Sequence, residues 1–130
     1  MAGFAHLHVH TQYSILDGAS NIGLLIEKVK SMGMEAIAIT DHGNMFGVKE
    51  FHNSATKKGI KPIIGCEIYV AKRSIEDVTG KEDRSGDHLI LLAKNLTGYK
   101  NLIKLVSIAW IKGFYYKPRI DKELLVKYKD

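Results

Sequence analysis

The sequence predicts an α/β fold in which short apolar strands alternate with amphipathic helices and pair into a largely parallel sheet. Three observations support this prediction. Compact apolar runs recur along the chain, and the segments between them repeat apolar residues at helical spacing. The 130-residue chain is 45% hydrophobic and 25% charged, with only two prolines, as in an ordinary globular domain. An open sheet and a barrel fit this pattern equally well.

The N-terminal half of the chain has the clearest alternation of elements. We predict a strand over 4–9, a helix from an Asn21 cap to about residue 32, a strand over 35–39, a helix over 48–58 and a strand over 61–70. Asparagine favours the first position of a helix, because its side chain accepts from the free amide groups there. Gly33 and Gly59 are expected to end the two helices, since glycine tolerates left-handed backbone.

The C-terminal half is expected to begin with an exposed, mobile loop over about 72–87, which is polar and charged. A strand over 88–93 follows, and then a helix that is capped by Thr97 and ends at Gly113. The apolar stripe of this helix is predicted to comprise Leu102, Ile103, Val106 and Trp110. A break over 115–118 precedes a short last helix from Asp121, so about four strands with covering helices are predicted.

Charge and cysteine content narrow the functional class. The net charge is +5, and residues 94–130 contain nine Lys or Arg against three Asp or Glu. A basic end fits a polyanionic partner, and it fits a solvated lysine-rich surface equally well. The single cysteine, Cys66, excludes an internal disulfide and suits a reducing compartment. With no leader and no long apolar run, we expect a cytoplasmic protein without membrane contact.

Residues that commonly bind metals follow several predicted strands. His8 and His10 close the first strand, His42 follows the second, Glu67 lies within the third, and Asp17 sits in the first loop. Because parallel strands place their carboxyl ends at one edge, these side chains are expected to converge on one pocket. His88 fits less well, since it opens its strand. Mixed nitrogen and oxygen ligands suit zinc, manganese or iron.

Each of these residues also has an ordinary structural explanation. A lone His-x-His pair on a strand is a weak signal, Asp41 before Gly43 is a common turn residue, and Glu67 fits a half-buried acid. The case for a site therefore depends on their joint occurrence. For His6 we favour a structural role. We expect His52 to lie on the surface and Cys66 to be a small core residue.

The motifs resemble those of the polymerase and histidinol phosphatase (PHP) family. The segment 6–18, HLHVHTQYSILDG, is similar to the first family motif, and 38–47, AITDHGNMFG, to the second. The pattern continues with the segments 64–69 and 88–93. The segments 101–107 and 116–121 are similar to the branch of the family that occurs in replicative DNA polymerases. The resemblance covers the chain from residue 4 to about residue 128.

The resemblance implies a distorted (β/α) barrel of about seven strands with a cluster of up to three divalent ions near the strand ends. Matched by motif, the metal ligands would be His8, His10, Asp17, His42, Glu67 and His88. Asp17 and His42 are the residues that we assign to catalysis. Asp41 would lie behind the ligands and orient a histidine.

The sequence departs from the family in one respect. The family site is completed by a later His or Cys and by an Asp-x-His pair, which do not occur by Asp130. We therefore expect residues 1–130 to be a truncated PHP domain that supplies about four strands and holds fewer than three ions. A sheet with an unpaired edge seeks partners, so a homodimer is expected unless the last helices cover the gap.

Three functions follow from the resemblance. The first is a phosphodiesterase, such as a 3′–5′ proofreading exonuclease within a DNA-directed DNA polymerase. The second is a scaffold that docks a separate exonuclease subunit and uses its metals structurally. The third is a stand-alone phosphatase of the histidinol-phosphate type. The intact early ligand set favours the first function, and the segments 101–107 and 116–121 argue against the third. This portion alone would not polymerise DNA.

Overall fold

The computed structural model describes residues 3–130. Part of the prediction that the chain has no leader falls on residues 1 and 2, which lie outside the described residues. The described helices are α1 (Ile22–Ser31), α2 (Val48–Lys57), α3 (Leu96–Ile111) and α4 (Lys122–Lys127). The described strands are β1 (Ala36–Ile39), β2 (Lys61–Ala71), β3 (Gly86–Leu92), β4 (Phe114–Tyr115) and β5 (Lys117–Ile120). The predicted α/β fold is confirmed. No helix within 3–130 has the length and apolar character needed to cross a membrane.

The central strand of the sheet is β2. It pairs in parallel with β1 along its first half and with β5 at Tyr69 and Val70. The strand β3 instead runs antiparallel along residues 65–71 of β2, and β4 and β5 form a short antiparallel pair. This corrects the parallel direction expected for the strand over 88–93. The connection explains the difference, because a parallel return needs a long crossover and residues 72–85 hold only a 3₁₀-helix, Lys81–Arg84.

Residues 4–9, which were expected to form a strand, lie beside β1 without forming a regular ladder. The Ala38 amide donates to the His6 carbonyl, and the Thr40 amide donates to the Val9 carbonyl. The two hydrogen-bonded residues are therefore farther apart in sequence on the first segment than on the segment of β1. The Thr40 hydroxyl causes the irregularity, because it accepts from the Val9 amide at 3.0 Å in place of a backbone carbonyl. A side chain thus replaces one rung of the expected strand.

Capping side chains define three of the helix starts. Asn21 accepts from the Leu24 amide at 3.2 Å, and Asp121 accepts from the Leu124 amide at 3.0 Å, so both predicted starts are confirmed. The cap of α3 is Asn95 and not Thr97, because the Asn95 side chain accepts from the amide at position 98 at 2.9 Å. Asparagine is the stronger capping residue of the two, which accounts for the earlier start.

The helices pack on the sheet in two apolar clusters. The first joins α1 and α2 to β1, and the second joins α3 to β2 and β5. Helix α3 buries Leu102, Leu105 and Ala109, whereas Ile103 and Trp110 of the predicted stripe are 40% and 43% exposed. Apolar residues occur on more than one side of this helix, so spacing alone did not identify the buried face.

The predicted break over 115–118 is a tight turn between β4 and β5. Tyr116 lies at the turn with a positive φ of 61°, which is uncommon for a residue with a bulky side chain. The two strands have two and four residues, too few for an alternating pattern to reveal them. Their position matters because they bring Lys117 to the edge of the cleft described below.

The loop over 72–85 is attached to the fold by the fully buried Arg119. The guanidinium of Arg119 donates to the backbone carbonyls of Ile75, Asp77 and Asp83 at 2.8–3.2 Å. Within the loop, the carboxylate of Asp83 accepts from Arg73 at 2.6 Å and from the amide at position 80 at 3.0 Å. A buried side chain therefore holds several points of a polar loop.

Acid is expected to loosen this loop through Asp83. Hydrogen bonds from Arg73 and from the amide of Gly80 hold the pKa of the Asp83 carboxyl at about 2, below its ordinary 3.8. A carboxyl whose pKa is lowered on folding stabilises the fold at pH values above its ordinary pKa. This stabilisation disappears as the pH falls towards 2. Chemical unfolding at several pH values should show that Asp83→Asn flattens this part of the pH profile. The control variant is Glu35→Gln, which changes an exposed carboxylate outside this loop.

A dimer remains the expected association state. Within residues 3–130, β3 has a strand partner on one side only, so its other edge presents free backbone groups. Light scattering at low protein concentration should give a mass near twice 14.5 kDa. A stable mass of a single chain would show instead that the last helices protect the edge.

Candidate metal centre

The six predicted metal ligands lie together in one cluster, with the carboxylate of Glu67 at its centre. Their donor atoms form three overlapping groups in which all atoms lie within 4.8 Å of one another. The groups are His8, His10 and Glu67, then His10, Asp17 and His42, and finally His42, Glu67 and His88. Each group shares a residue with another, so the six side chains form one continuous cluster.

The sheet explains why these side chains meet. Glu67 lies in the second half of β2, and His42 follows β1 and forms a parallel bridge with Glu67. His88 lies at the start of β3, and because β3 is antiparallel its first residues lie beside the last residues of β2, with His88 opposite Tyr69. The placement of His88, which looked unfavourable when its strand was assumed to be parallel, is thus resolved by the strand direction.

Glu67 is the buried centre of the cluster. One carboxylate oxygen, Oε2, lies 2.7 Å from His8 Nε2 and 2.6 Å from His10 Nε2, and the other, Oε1, contacts His88 Nδ1. Burial raises the pKa of Glu67, but the hydrogen bonds with His8, His10 and His88 outweigh it and lower the pKa to about 2. The carboxyl is therefore ionised at neutral pH, as a metal ligand must be.

His42 shows that the cluster fits a metal ion. Its Nε2 lies 2.8 Å from Asp17 Oδ2, whereas its buried Nδ1 has no hydrogen-bond partner among the described residues. A buried polar atom without a partner is uncommon in a native fold and calls for an explanation. Nδ1 lies 3.7 Å from Glu67 Oε2, so an imidazole nitrogen and a carboxylate oxygen face the same small space. Such a nitrogen and oxygen set suits zinc, manganese or iron.

Asp41 lies behind the cluster, but it does not orient a histidine ring as expected. Its carboxylate accepts from the amide and hydroxyl of Thr11 and from the hydroxyl of Ser14, at 2.6–2.8 Å. The Ser14 hydroxyl in turn accepts from the backbone amide of His42. The buried Asp41 therefore joins the loop that precedes Asp17 to the end of β1. The hydroxyls of Thr11 and Ser14, and not a histidine ring, donate to the carboxylate oxygens of Asp41.

The remaining histidines and the cysteine lie away from the cluster. His6 lines a groove with Val9 and Leu25, beside α1, and His52 is exposed on α2. The Cys66 thiol is buried, and burial raises its pKa to about 12, so it stays protonated and unreactive. These positions agree with the structural roles expected for them.

The cluster opens into a cleft of about 540 Å³ whose walls contain residues that the sequence did not single out. Tyr69 lies beside the site, with its ring 6.2 Å from that of His42 and nearly parallel to it. Lys117 lines the cleft and places its ammonium 4.6 Å from the centre of the Tyr69 ring. Lys117 was not singled out from the sequence. The turn that positions it depends on the positive φ of Tyr116, which only the structure reveals.

Gly18 is expected to be essential for the position of Asp17. A Cβ atom at Gly18 would lie 1.9 Å from the Thr11 carbonyl oxygen, which is too close for any rotamer to relieve. Gly18→Ala should therefore displace the loop and weaken zinc or manganese binding by about 10-fold or more, as measured by calorimetry. Gly98→Ala, in α3 with no atom closer than 3.7 Å, is the matched control and should bind metal normally. Normal metal binding by Gly18→Ala would contradict a role for this loop.

Comparisons with known proteins agree with this geometry. Residues 6–130 match the PHP domain family. The chain is 56% identical to the DNA polymerase III subunit alpha of Borreliella burgdorferi over 98% of its own length and 11% of that protein. The corresponding subunits of Treponema pallidum and Thermus aquaticus are 54% and 53% identical. The chain spans only about a tenth of the length of these relatives, 11% and 10% for the last two.

Solved structures show the same fold. An amidohydrolase from Chromobacterium violaceum, solved with bound sulfate and no metal, superposes with a TM-score of 0.57 at 24% identity over 82% of this chain and 33% of its own. A candidate metal-dependent phosphoesterase from Bifidobacterium adolescentis also gives 0.57, at 20% identity over 84% of this chain and 34% of its own. With its whole length from His6 onwards matched by one family, the chain belongs to the PHP domain family.

Proposed function

We propose that the chain is the PHP portion of the alpha subunit of a bacterial DNA polymerase III and that its cluster hydrolyses phosphodiester bonds in DNA with divalent metal ions. The observation that carries the proposal is the convergence of four histidines and Asp17 on Glu67. The relatives at 46–56% identity, all DNA polymerase III alpha subunits, support the assignment of the parent protein. Its cytoplasmic location stays a prediction from the sequence.

The six side chains would share the binding of metal in a defined way. His8, His10, His42 and His88 would supply nitrogen donors, and Asp17 and Glu67 would supply oxygen donors. A bound divalent ion polarises a phosphoryl oxygen and lowers the pKa of a water molecule towards neutrality. Zinc, manganese and iron all fit this donor set, and we expect fewer than three ions in this chain.

The side chains differ in exposure, which separates their roles. Glu67 is 5% exposed and would anchor the site, whereas Asp17 is 56% exposed at the mouth of the cleft. Asp17 contacts His42 and lies 4.0 Å from His10, so it joins two parts of the cluster. We assign Asp17 and His42 to catalysis for this reason. Lys117, on the cleft wall, would attract the phosphate of a substrate.

The scaffold function is the second candidate, and the open cleft argues against it. A metal that served only structure would be expected in a closed site with every position filled by protein. Here His8, His88 and Asp17 are about half exposed, so the part of the site that residues 3–130 supply is open to a substrate. A stand-alone phosphatase is less compatible with the relatives named above, of which this chain spans only about a tenth.

The test is cleavage of labelled single-stranded DNA by the chain after metal removal and reloading with manganese or zinc. We expect cleavage that depends on the metal and falls by about 100-fold or more in Asp17→Asn. Asp87→Asn, which changes an exposed carboxylate outside the cluster, should cleave normally. Metal binding without cleavage at any metal concentration would support the scaffold function and contradict the proposal.

A further inference from the structure

An exposed aromatic surface borders the metal cluster on one side of the cleft. We call it the aromatic rim, and it consists of Phe46, Trp110, Phe114 and Tyr116. Their exposed fractions are 64%, 43%, 52% and 62%, although large aromatic side chains usually provide the core of a small domain. Four exposed rings beside one cleft indicate a binding surface.

Three rings of the aromatic rim contact one another through Trp110. The Trp110 and Phe114 rings are 5.5 Å apart with an angle of 25° between their planes, and the Phe46 ring lies 6.3 Å from that of Trp110. Trp110 is held in place, because its indole nitrogen donates to the Gly43 carbonyl at 2.8 Å. Gly43 follows His42 directly, so this bond fixes Trp110 relative to the metal cluster.

Cations accompany the rim on the side of Tyr116. The Arg84 guanidinium lies 4.8 Å from the centre of the Tyr116 ring, and Lys117 is the next residue in the chain. No carboxylate among residues 3–130 forms an ion pair with Arg84 or Lys117 within 4.0 Å. Flat aromatic faces beside positive charges that lack such partners are complementary to bases joined by phosphates.

We propose that the aromatic rim stacks the unpaired bases of single-stranded DNA and thereby presents the strand to the metal cluster. The proposal rests on the proposed function and adds to it the part of the substrate that is recognised. Every base has a flat face, so stacking holds a strand without selecting a sequence. An apolar protein partner would not need the adjacent Arg84 and Lys117, which favours a nucleic acid as the occupant.

The chain contains one tryptophan, Trp110, so its fluorescence reports on the rim alone. Titration of the metal-free chain with a short oligothymidylate should quench this fluorescence. An abasic strand of the same length has the same phosphates without bases and should quench much less. Equal quenching by the two strands, or no quenching by either, would overturn the proposal, and the second result would leave the rim to a protein partner.

A matched pair of phenylalanine variants tests the rim more closely. Phe46→Ala should weaken oligothymidylate binding by about 5-fold or more, as expected for the loss of one stacking partner. Phe4→Ala removes a ring of equal exposure, 63%, that does not line the cleft, and it should not change binding. Equal affinities of the two variants would overturn the assignment of the rim.

The result of these binding tests does not depend on whether the chain cleaves DNA, as the proposed function requires. Binding is measured without metal, so it stays observable when no DNA is cleaved. If the metal-loaded chain does cleave, Phe46→Ala should raise the KM for single-stranded DNA more than it raises the KM for bis(p-nitrophenyl) phosphate, which is too small to span the rim. Equal losses on both substrates would contradict a role in strand binding.

Discussion

Glu67→Gln is expected to weaken divalent metal binding by at least about 100-fold, because it removes the one charge that the cluster shares. In the native chain both oxygens of Glu67 are engaged, one by His8 and His10 and the other by His88. Glutamine keeps the shape of the side chain but replaces one oxygen with an amide donor and abolishes the negative charge. Metal retained after gel filtration, measured by elemental analysis, should fall accordingly.

The control for this substitution is Glu123→Gln, on the exposed face of α4 and outside the cluster. It makes the same chemical change and should retain metal as the native chain does. Circular dichroism should show that both variants are folded, since the two side chains are similar in volume. Native metal content in Glu67→Gln would show that Glu67 is a buried acid with no part in metal binding.

Arg119→Met is expected to destabilise the fold by at least about 3 kcal/mol. The Arg119 side chain is fully buried and satisfies the carbonyl oxygens of Ile75, Asp77, Asp83 and Gly113. Methionine fills part of the volume but donates no hydrogen bond, and each buried carbonyl without a donor costs about 1–3 kcal/mol. Urea unfolding measures the loss directly.

Arg119→Met should loosen the loop over 72–85 in addition to lowering the stability of the whole fold. Limited proteolysis of Arg119→Met should cut within residues 72–85, because three of the lost hydrogen bonds hold that loop. The control is Arg84→Met, which alters an exposed arginine. It should resist proteolysis and be nearly as stable as the native chain. A stability change below about 1 kcal/mol in Arg119→Met would show that water replaces the lost donors.

Local signals in the sequence predicted the helices well. Asn21 and Asp121 cap helices where they were expected, and Gly33 and Gly59 adopt φ values of 71° and 74° just after α1 and α2. These signals depend only on neighbouring residues, so they can be recognised without knowledge of the fold. The candidate site residues were predicted from the family motifs and from their positions near predicted strands.

Features that depend on distant residues were not predictable. The antiparallel direction of β3 results from a connection without a crossover helix, and it brings His88 to Glu67 across the sheet. The irregular pairing of the first segment depends on the Thr40 hydroxyl. Trp110 was expected in the core and instead lies on the cleft, because Leu105 and Ala109 occupy the buried face of α3.

Calorimetric titration of the metal-stripped chain with zinc and then manganese tests the central claim, that the cluster around Glu67 is a metal centre. We expect the native chain to bind at least one and fewer than three ions. The double variant His10→Ala/His42→Ala should bind none, whereas His52→Ala, which removes an exposed histidine outside the cluster, should bind as the native chain does. Undiminished binding by the double variant, or none by the native chain, would contradict the claim.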